Sequence, residues 1–144
     1  MPVTFVNNWK NILDKLRNIL RAEFGNTVRV YIGDEDTSAG NQFIRLNPVR
    51  SELVKYDISA ETREFTIEMI YVFSGAGIKK TSLDHIFRIV SRTEALIHDN
   101  ISMTLADNTS AYDCRLVDTE FNSDAEDVYV VEWEWKCLHM GNQS

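Results

Sequence analysis

The chain has 144 residues, enough for one domain over 1–144, and with 44% hydrophobic and 26% charged residues it has the composition of a soluble globular protein. Its 22 acids and 15 bases leave a net charge of −7, which argues against a surface that grips nucleic acid, because phosphate binding needs Lys and Arg. The sequence has no apolar run near the roughly 18 residues of a membrane span and no signal-peptide pattern, so we expect synthesis in a reducing cytoplasm.

Hydrophobic periodicity divides the chain into two helices and five strands. A long amphipathic helix opens the chain, because apolar residues from Phe5 to Phe24 recur at helical spacing, and Gly25 suits the position after a helix. An acidic, turn-rich loop follows the first strand, and Pro48 is expected to end the short second strand. The predicted elements are helix 4–24, strands 27–33, 43–46 and 61–73, helix 82–98, and strands 111–121 and 128–138.

This order, α-β-β-β-α-β-β, does not alternate as a βαβ series would. The sequence therefore predicts the α+β class, with a mainly antiparallel five-stranded sheet and two helices packed on it. The strand 61–73 is expected at the centre, because residues 69–73 near its end are apolar on both faces of the strand. No internal repeat or linker divides the chain, so a single domain is predicted.

The last strand, VYVVEWEWKCL at 128–138, alternates with a period of two and so has two different faces. The alternation predicts that the aromatic face is buried against the rest of the core, while the charged face meets solvent or a partner. The aromatic face consists of Tyr129, Val131, Trp133, Trp135 and Cys137. The charged face includes Glu132, Glu134 and Lys136.

The closing hairpin is predicted in a register that pairs Asp113 with Lys136 and Arg115 with Glu134, since opposite charges then face each other. The two cysteines of this hairpin would lie diagonally, roughly 7–8 Å apart at Cα, which is too far for an unstrained disulfide. Two free, packed thiols are therefore predicted, in keeping with a reducing compartment.

One arrangement in the chain imitates a catalytic motif. Restriction-type nucleases hold Mg²⁺ between two acids and place a lysine beside the attacking water, and Asp113, Asp118, Glu134 and Lys136 offer these residue types on two neighbouring strands. The charge pairs of a solvated strand face explain the same residues. A small Mg²⁺-dependent nuclease is therefore kept as the alternative, and no catalytic residue is assigned.

No other motif supports a metal, a cofactor or a nucleophile. The loop that begins at Asp34 has Ala39 and Arg45 where an EF-hand needs Gly and Glu. The three histidines lack the spacing of metal ligands, and no serine or cysteine stands in a GxSxG context. The sequence thus predicts a protein that is not an enzyme and that has no metal or cofactor site.

Six segments, spread over nearly the whole chain, share their order and their residue pattern with a known family. They are the opening helix from Trp9 to Leu20, VRVYIGDED at 28–36, FIRLNPVRSE at 43–52, REFTIEMIYVF at 63–73, DHIFRIVSRTEALI at 84–97, and the closing hairpin YDCRLVDTEF…DVYVVEWEWKC. In this order they resemble the tail terminator family of tailed bacteriophages. Neck and head-completion proteins of the same virions share the small α+β plan, so they form a second alternative.

The resemblance implies a structural protein of the virion that does no chemistry. It implies a ring of six copies that caps the finished tail tube, stops its polymerisation and presents a surface to the head connector or neck protein. DNA would pass through the lumen without specific binding, and the negative charge of the chain suits a lumen that repels phosphate. The implied partners are further copies of the chain, the tail tube protein and the head connector, with no membrane involved.

The residues expected at ring or partner surfaces come from three parts of the chain. The acidic loop and the charged face of the last strand are expected to meet neighbouring components. Trp9 extends the apolar stripe of the first helix beyond one face, so a neighbouring subunit is expected to cover part of it. The predicted interface residues are Trp9, Asp34, Glu35, Asp36, Glu132 and Glu134.

Overall fold

The computed structural model describes residues 6–25, 27–33, 42–56, 60–74, 80–125 and 128–142. It confirms the α+β class and both helices. In chain order the elements are α1 Asn8–Phe24, β1 Arg29–Ile32, β2 Gln42–Tyr56, β3 Ala60–Ser74, α2 Lys80–Asp99, β4 Met103–Thr104, β5 Ser110–Ala125 and β6 Val128–Asn142.

The sheet differs from the predicted one in strand number and in the direction of one strand. It has six strands in the order β1-β2-β3-β6-β5-β4, because the two residues of β4 add an edge strand too short for a periodicity to reveal. The sheet is also mixed, since β1 pairs with β2 in parallel, while the remaining pairs are antiparallel. Alternation in a sequence indicates which side chains share a face, but it carries no information about the direction of pairing.

Strand β2 is much longer than predicted. It continues through Pro48 to Tyr56, although Pro48 was expected to end it. Proline is tolerated on edge strands and at bulges. Both conditions hold here, because β1 pairs only with residues 43–46 and the pairing with β3 shifts register between Pro48 and Arg50.

Helix α1 begins at Asn8, later than predicted, because Asn7 caps it. The Asn7 side chain accepts a hydrogen bond from Lys10 N at 3.1 Å, which satisfies one of the free amides of the first turn. The helix ends at Gly25, whose φ of 57° is in the left-handed region that favours glycine. Within the described residues, neither helix combines the length and the apolar character needed to cross a membrane.

The core lies between the two helices and one face of the sheet. The aromatic face of β6 is buried as predicted, and its two tryptophans are essentially inaccessible. Trp133 lies opposite Met69 and Trp135 lies opposite Ile67 across the central β3–β6 pair. The apolar stripe of α1 belongs to the same cluster through Ile12, Leu13, Leu16, Leu20 and Phe24. The face of the sheet turned away from the helices is called the outer face below.

The closing hairpin has a register different from the predicted one. Arg115 lies opposite Lys136, and Asp118 lies opposite Glu134, so like charges face each other. The predicted pairs of Asp113 with Lys136 and of Arg115 with Glu134 are therefore wrong. The predicted register would place Ala111 opposite Leu138, whereas the structure pairs Ala111 with His139. An irregularity of β5 just before Arg115, where Asp113 has a left-handed backbone with φ of 54°, shifts the later pairs further.

The two cysteines are buried and form no disulfide, as the sequence predicts. Cys114 lies in the irregular stretch of β5, where its backbone N–H donates to Ile101 O at 2.8 Å. The pKa of the Cys137 thiol is raised, first by its hydrogen bond with the Cys114 side chain and then by burial. The Cys137 thiol therefore stays protonated, and both cysteine side chains are packed in this part of the core.

Candidate functional site

The outer face of the sheet carries two rows of carboxylates. In one row, Glu68 of β3, Glu134 of β6 and Asp118 of β5 lie directly opposite one another across three adjacent strands. In the next row, about 7 Å along the strands, Glu132 of β6 lies opposite Glu120 of β5. These five side chains are called the carboxylate rows.

The carboxylate rows border an open depression of about 210 Å³, whose lining also includes Val49 and Thr66. Adjacent strands are about 4.8 Å apart, and like charges directly opposite each other destabilise a sheet. The rows therefore cost the fold some stability. Packing does not explain why one face carries them, and we take the rows as the candidate functional site.

Three basic side chains lie next to the rows and limit the repulsion. Arg50 Nη2 is 3.3 Å from Glu134 Oε1, and Lys136 Nζ is 3.8 Å from the same oxygen. Glu64 contacts Arg115 at 2.8 Å and Lys136 at 3.3 Å. The hydrogen bond from Arg115 lowers the pKa of Glu64, burial opposes this, and Lys136 lowers it further. Glu64 thus holds together two cations that face each other on β5 and β6.

The predicted interface residues occupy different parts of the fold. Glu132 and Glu134 are half-exposed on the outer face, where the alternation of β6 predicts them. Trp9 lies on the helix side and is half-buried, with its ring edge-to-face on Phe65 and the ring centroids 4.8 Å apart. The acidic run 34–36 lies outside the described residues. The structure thus places two of the predicted residues at the site, while their contact with a partner stays a prediction.

The four residues of the nuclease alternative are only partly brought together. Asp118 and Glu134 are direct neighbours across β5 and β6. Asp113 is ion-paired on its own strand at 3.2 Å, and Lys136 is bound to an acid of β3. Within the described residues, no three His, Cys, Asp or Glu side chains are grouped closely enough to hold a metal ion. Of the four residues, Asp118 and Glu134 are the two acids that the fold places directly opposite each other.

Sequence patterns did not identify Glu68 and Glu120 as members of the site. Each follows the alternation of its own strand, and nothing in its local sequence distinguishes it from an ordinary solvated acid. Their relation to the other acids depends on how three strands pair, including the register irregularities of β5. The sequence offers only a weaker signal, which is that β3, β5 and β6 each carry two acids on the same face of the strand.

A hydrogen-bonded chain of Asp107, Thr109 and His139 joins the loop before β5 to the end of β6. The Thr109 hydroxyl donates to Asp107 Oδ1 at 2.6 Å and accepts from His139 Nε2 at 2.9 Å. In a nucleophilic triad the base accepts the proton of the hydroxyl and the carboxylate orients the base, so the order here is the wrong one for catalysis. The chain fixes the loop, and the Asp-x-Thr spacing, typical of an Asx turn, is its sequence signal.

The pKa values of this chain follow from the same contacts. The hydrogen bond from the Thr109 hydroxyl lowers the pKa of Asp107. Burial lowers the pKa of His139, and the nearby negative charge of Asp107 opposes this only in part. His139 is therefore held neutral at the buried end of this hydrogen-bonded chain.

Fold and site together define the class: a small α+β protein in which one face of a mixed sheet forms the core with two helices and the other carries the carboxylate rows. No family model and no curated protein matches the chain. A chain in the solved structure of the virion of a native gene transfer agent (GTA) particle is similar, with a TM-score of 0.62 and 12% sequence identity. The similarity covers 95% of this chain and 100% of that chain, and at this identity it shows a shared fold.

Proposed function

We propose that this protein is a structural protein of a phage-like virion. The observation that carries the proposal is the similarity to a virion chain, which spans 95% of this chain and all of the other, so it involves the whole fold. Fold alone does not fix function. The proposal draws further support from the order of elements and the residue pattern, which resemble the tail terminator family. This resemblance does not depend on the structural similarity.

Within this class we propose the role of tail terminator. Six copies form a ring that caps the completed tail tube and presents a surface to the head connector or neck protein. The carboxylate rows line the lumen, where their charge keeps DNA phosphates from binding during passage. This role uses the outer face without any chemistry, and it gives a reason for keeping five acids on adjacent strands.

Deletion of the gene from the genome that encodes the particle tests both levels of the proposal. We expect electron micrographs to show tails of uncontrolled length that are not joined to heads, and a plasmid copy of the gene to restore normal particles. Tails of normal length beside heads that have lost their DNA would instead assign the protein to the neck or head-completion group. Normal, infectious particles in normal numbers would overturn the virion proposal.

A cleavage assay separates the proposal from the nuclease alternative. We expect the purified protein to leave DNA intact in the presence of Mg²⁺, both for the wild type and for Glu134→Gln. Cleavage that EDTA abolishes and that Glu134→Gln removes would support a nuclease, because Asp118 and Glu134 would then share a metal.

A further inference from the structure

Strand β2 has a long edge beside which no described strand lies. β1 covers β2 only over residues 43–46, so on that side the main chain of residues 47–56 has no pairing partner among the described strands. Such an edge is a template for pairing with another chain. Four large apolar side chains in this half are each at least 50% exposed: Val49, Leu53, Val54 and Tyr56.

Two features of this half are devices that native proteins use against edge pairing. Pro48 removes one donor, and the register with β3 shifts twice, next to Val49 and next to Val54. A strand that only avoided pairing would place charge at the shifted positions. Here the shifts leave two valines exposed. The bulges therefore shape the edge without making it polar, which favours a specific partner over plain protection.

Strand β5 has a second open edge near the opposite side of the sheet. β4 pairs only with Ser110 and Ala111, Cys114 N–H donates to Ile101 O at 2.8 Å, and no described strand lies beside β5 from Arg115 onward. Val117 is 50% exposed and Phe121 is 40% exposed. Phe87 of α2, itself 48% exposed, packs on Phe121 with the ring centroids 5.9 Å apart. An apolar patch therefore accompanies this edge as well.

The two open edges carry opposite net charge. Residues 47–56 contain two bases and one acid, whereas residues 115–122 contain two acids and one base. Two copies of the β2 edge would repel each other, and so would two copies of the β5 edge. Charge complementarity therefore favours β2 of one copy against β5 of another.

The strand directions also fit this contact. β2, β3, β6 and β5 each run antiparallel to the next, so β2 and β5 point in opposite directions within one sheet. A second copy placed beside the first in the same orientation brings its β5 antiparallel to β2. The two surfaces differ, so the contact repeats from copy to copy and closes into a ring where the rotation allows.

We propose that residues 47–56 of β2 pair with residues 115–122 of β5 in a second copy of this chain, so that the sheet continues from one subunit to the next. The exposed apolar side chains of both edges cover one another at this joint. The inference rests on the proposed function, to which it adds the surface that joins the ring.

The first experiment places charge on the β2 edge. We expect Leu53→Glu combined with Val54→Glu to convert an assembled protein into a monomer in sedimentation velocity, with unchanged circular dichroism. The matched control is Met140→Glu, because Met140 is 57% exposed on β6, two strands away from this edge. The control should assemble as the wild type does. Assembly of the edge variant at wild-type strength, or a wild type that stays monomeric at high concentration, would overturn the inference.

The second experiment identifies which edges meet. Variants Val54→Cys and Val117→Cys are treated with a bismaleimide cross-linker, while the native cysteines, both buried, provide the unreactive background. A mixture of the two variants should give dimers, each variant alone should stay unlinked, and the double variant should give a ladder. Linking of Val54→Cys alone would show that like edges meet and would contradict the inference.

The outcomes of these experiments distinguish a failure of the edge pairing from a failure of the proposed function. If the charged edge variant still forms a ring and the cysteine variants do not cross-link, the edge pairing is wrong, but the proposed terminator role is not contradicted. If gene deletion leaves the particles normal, the proposed terminator role is wrong, whatever the cross-linking experiment shows.

Discussion

At the scale of single residues, Glu64 is the acid on which the charged outer face most depends. It accepts hydrogen bonds from Arg115 and Lys136, which lie opposite each other on β5 and β6. We expect Glu64→Gln to lower the free energy of unfolding by about 1–2 kcal/mol at neutral pH, because the two cations then repel without a common partner. Chemical denaturation measures the change. The control Glu52→Gln, an exposed acid opposite Glu64 on β2, should change it by less than about 0.5 kcal/mol.

The effect of Glu64→Gln should depend on pH. The pKa of Glu64 is lowered in the fold from its usual 4.5, so its stabilising contribution is complete above that value and is lost as the pH falls through the lowered pKa. The difference between wild type and variant should therefore shrink in acid. A difference that stays constant as the pH falls would mean that the variant acts through packing instead of charge.

The lowered pKa of His139 predicts a second pH dependence of the free energy of unfolding, at a less acidic pH than that of Glu64. Its pKa is lowered by burial from the usual 6.5, so the unfolded chain takes up a proton before the folded chain does. The free energy of unfolding should be highest above pH 6.5 and should decline as the pH falls from there towards the lowered pKa. In His139→Gln this decline should be absent. His98→Gln, on the exposed surface of α2, should retain it, and equal behaviour of both variants would refute the assignment.

At the scale of elements, the irregular start of β5 shifts the register within the closing hairpin. Asp113 adopts a φ of 54°, a region that asparagine and aspartate tolerate and β-branched residues avoid. We expect Asp113→Val to lower the free energy of unfolding by about 1–2 kcal/mol, whereas Asp113→Asn should change it by less than about 0.5 kcal/mol. Thermal and chemical unfolding of the two variants provide the measurement. Similar losses in both would point to the ion pair with Arg115 as the cause.

The closing hairpin of β5 and β6 shows which structural features could be predicted from the sequence and which could not. The alternation of β6 was sufficient to predict that Trp133 and Trp135 are buried and that Glu132 and Glu134 lie on the opposite face, because a period of two follows directly from strand geometry. The register was not predictable from charge pairing, since Arg115 and Lys136 lie opposite each other and Glu64 of β3, on a third strand, supplies the opposite charge for both. The candidate site therefore came only in part from the sequence: its faces follow from local pattern, and its rows follow from tertiary pairing.

At the scale of the whole molecule, the placement of charge matters more than its sum. One variant combines Glu132→Lys with Glu134→Lys on the outer face. The control variant combines Asp84→Lys with Glu94→Lys on α2, so both variants have the same net charge. If the outer face lines the lumen, the first variant should bind DNA and steepen the salt dependence of binding by about 1–2 in the logarithmic slope. The wild type and the control should bind less. Equal binding by both variants in fluorescence anisotropy would mean that only total charge acts.

The long pairing of β3 with β6 also has a consequence for how the chain reaches its fold. The two strands pair along their full lengths, from Ala60 opposite Asn142 to Ser74 opposite Val128, although α2, β4 and β5 separate them in the sequence. The β2–β3 and β5–β6 hairpins close short loops and are free to form early, whereas this central seam closes a long loop and is slow to form. Trp133 and Trp135 reach Met69 and Ile67 only when the two hairpins dock. Their fluorescence in stopped-flow refolding should therefore change in the slowest phase, after most of the far-ultraviolet circular dichroism has appeared.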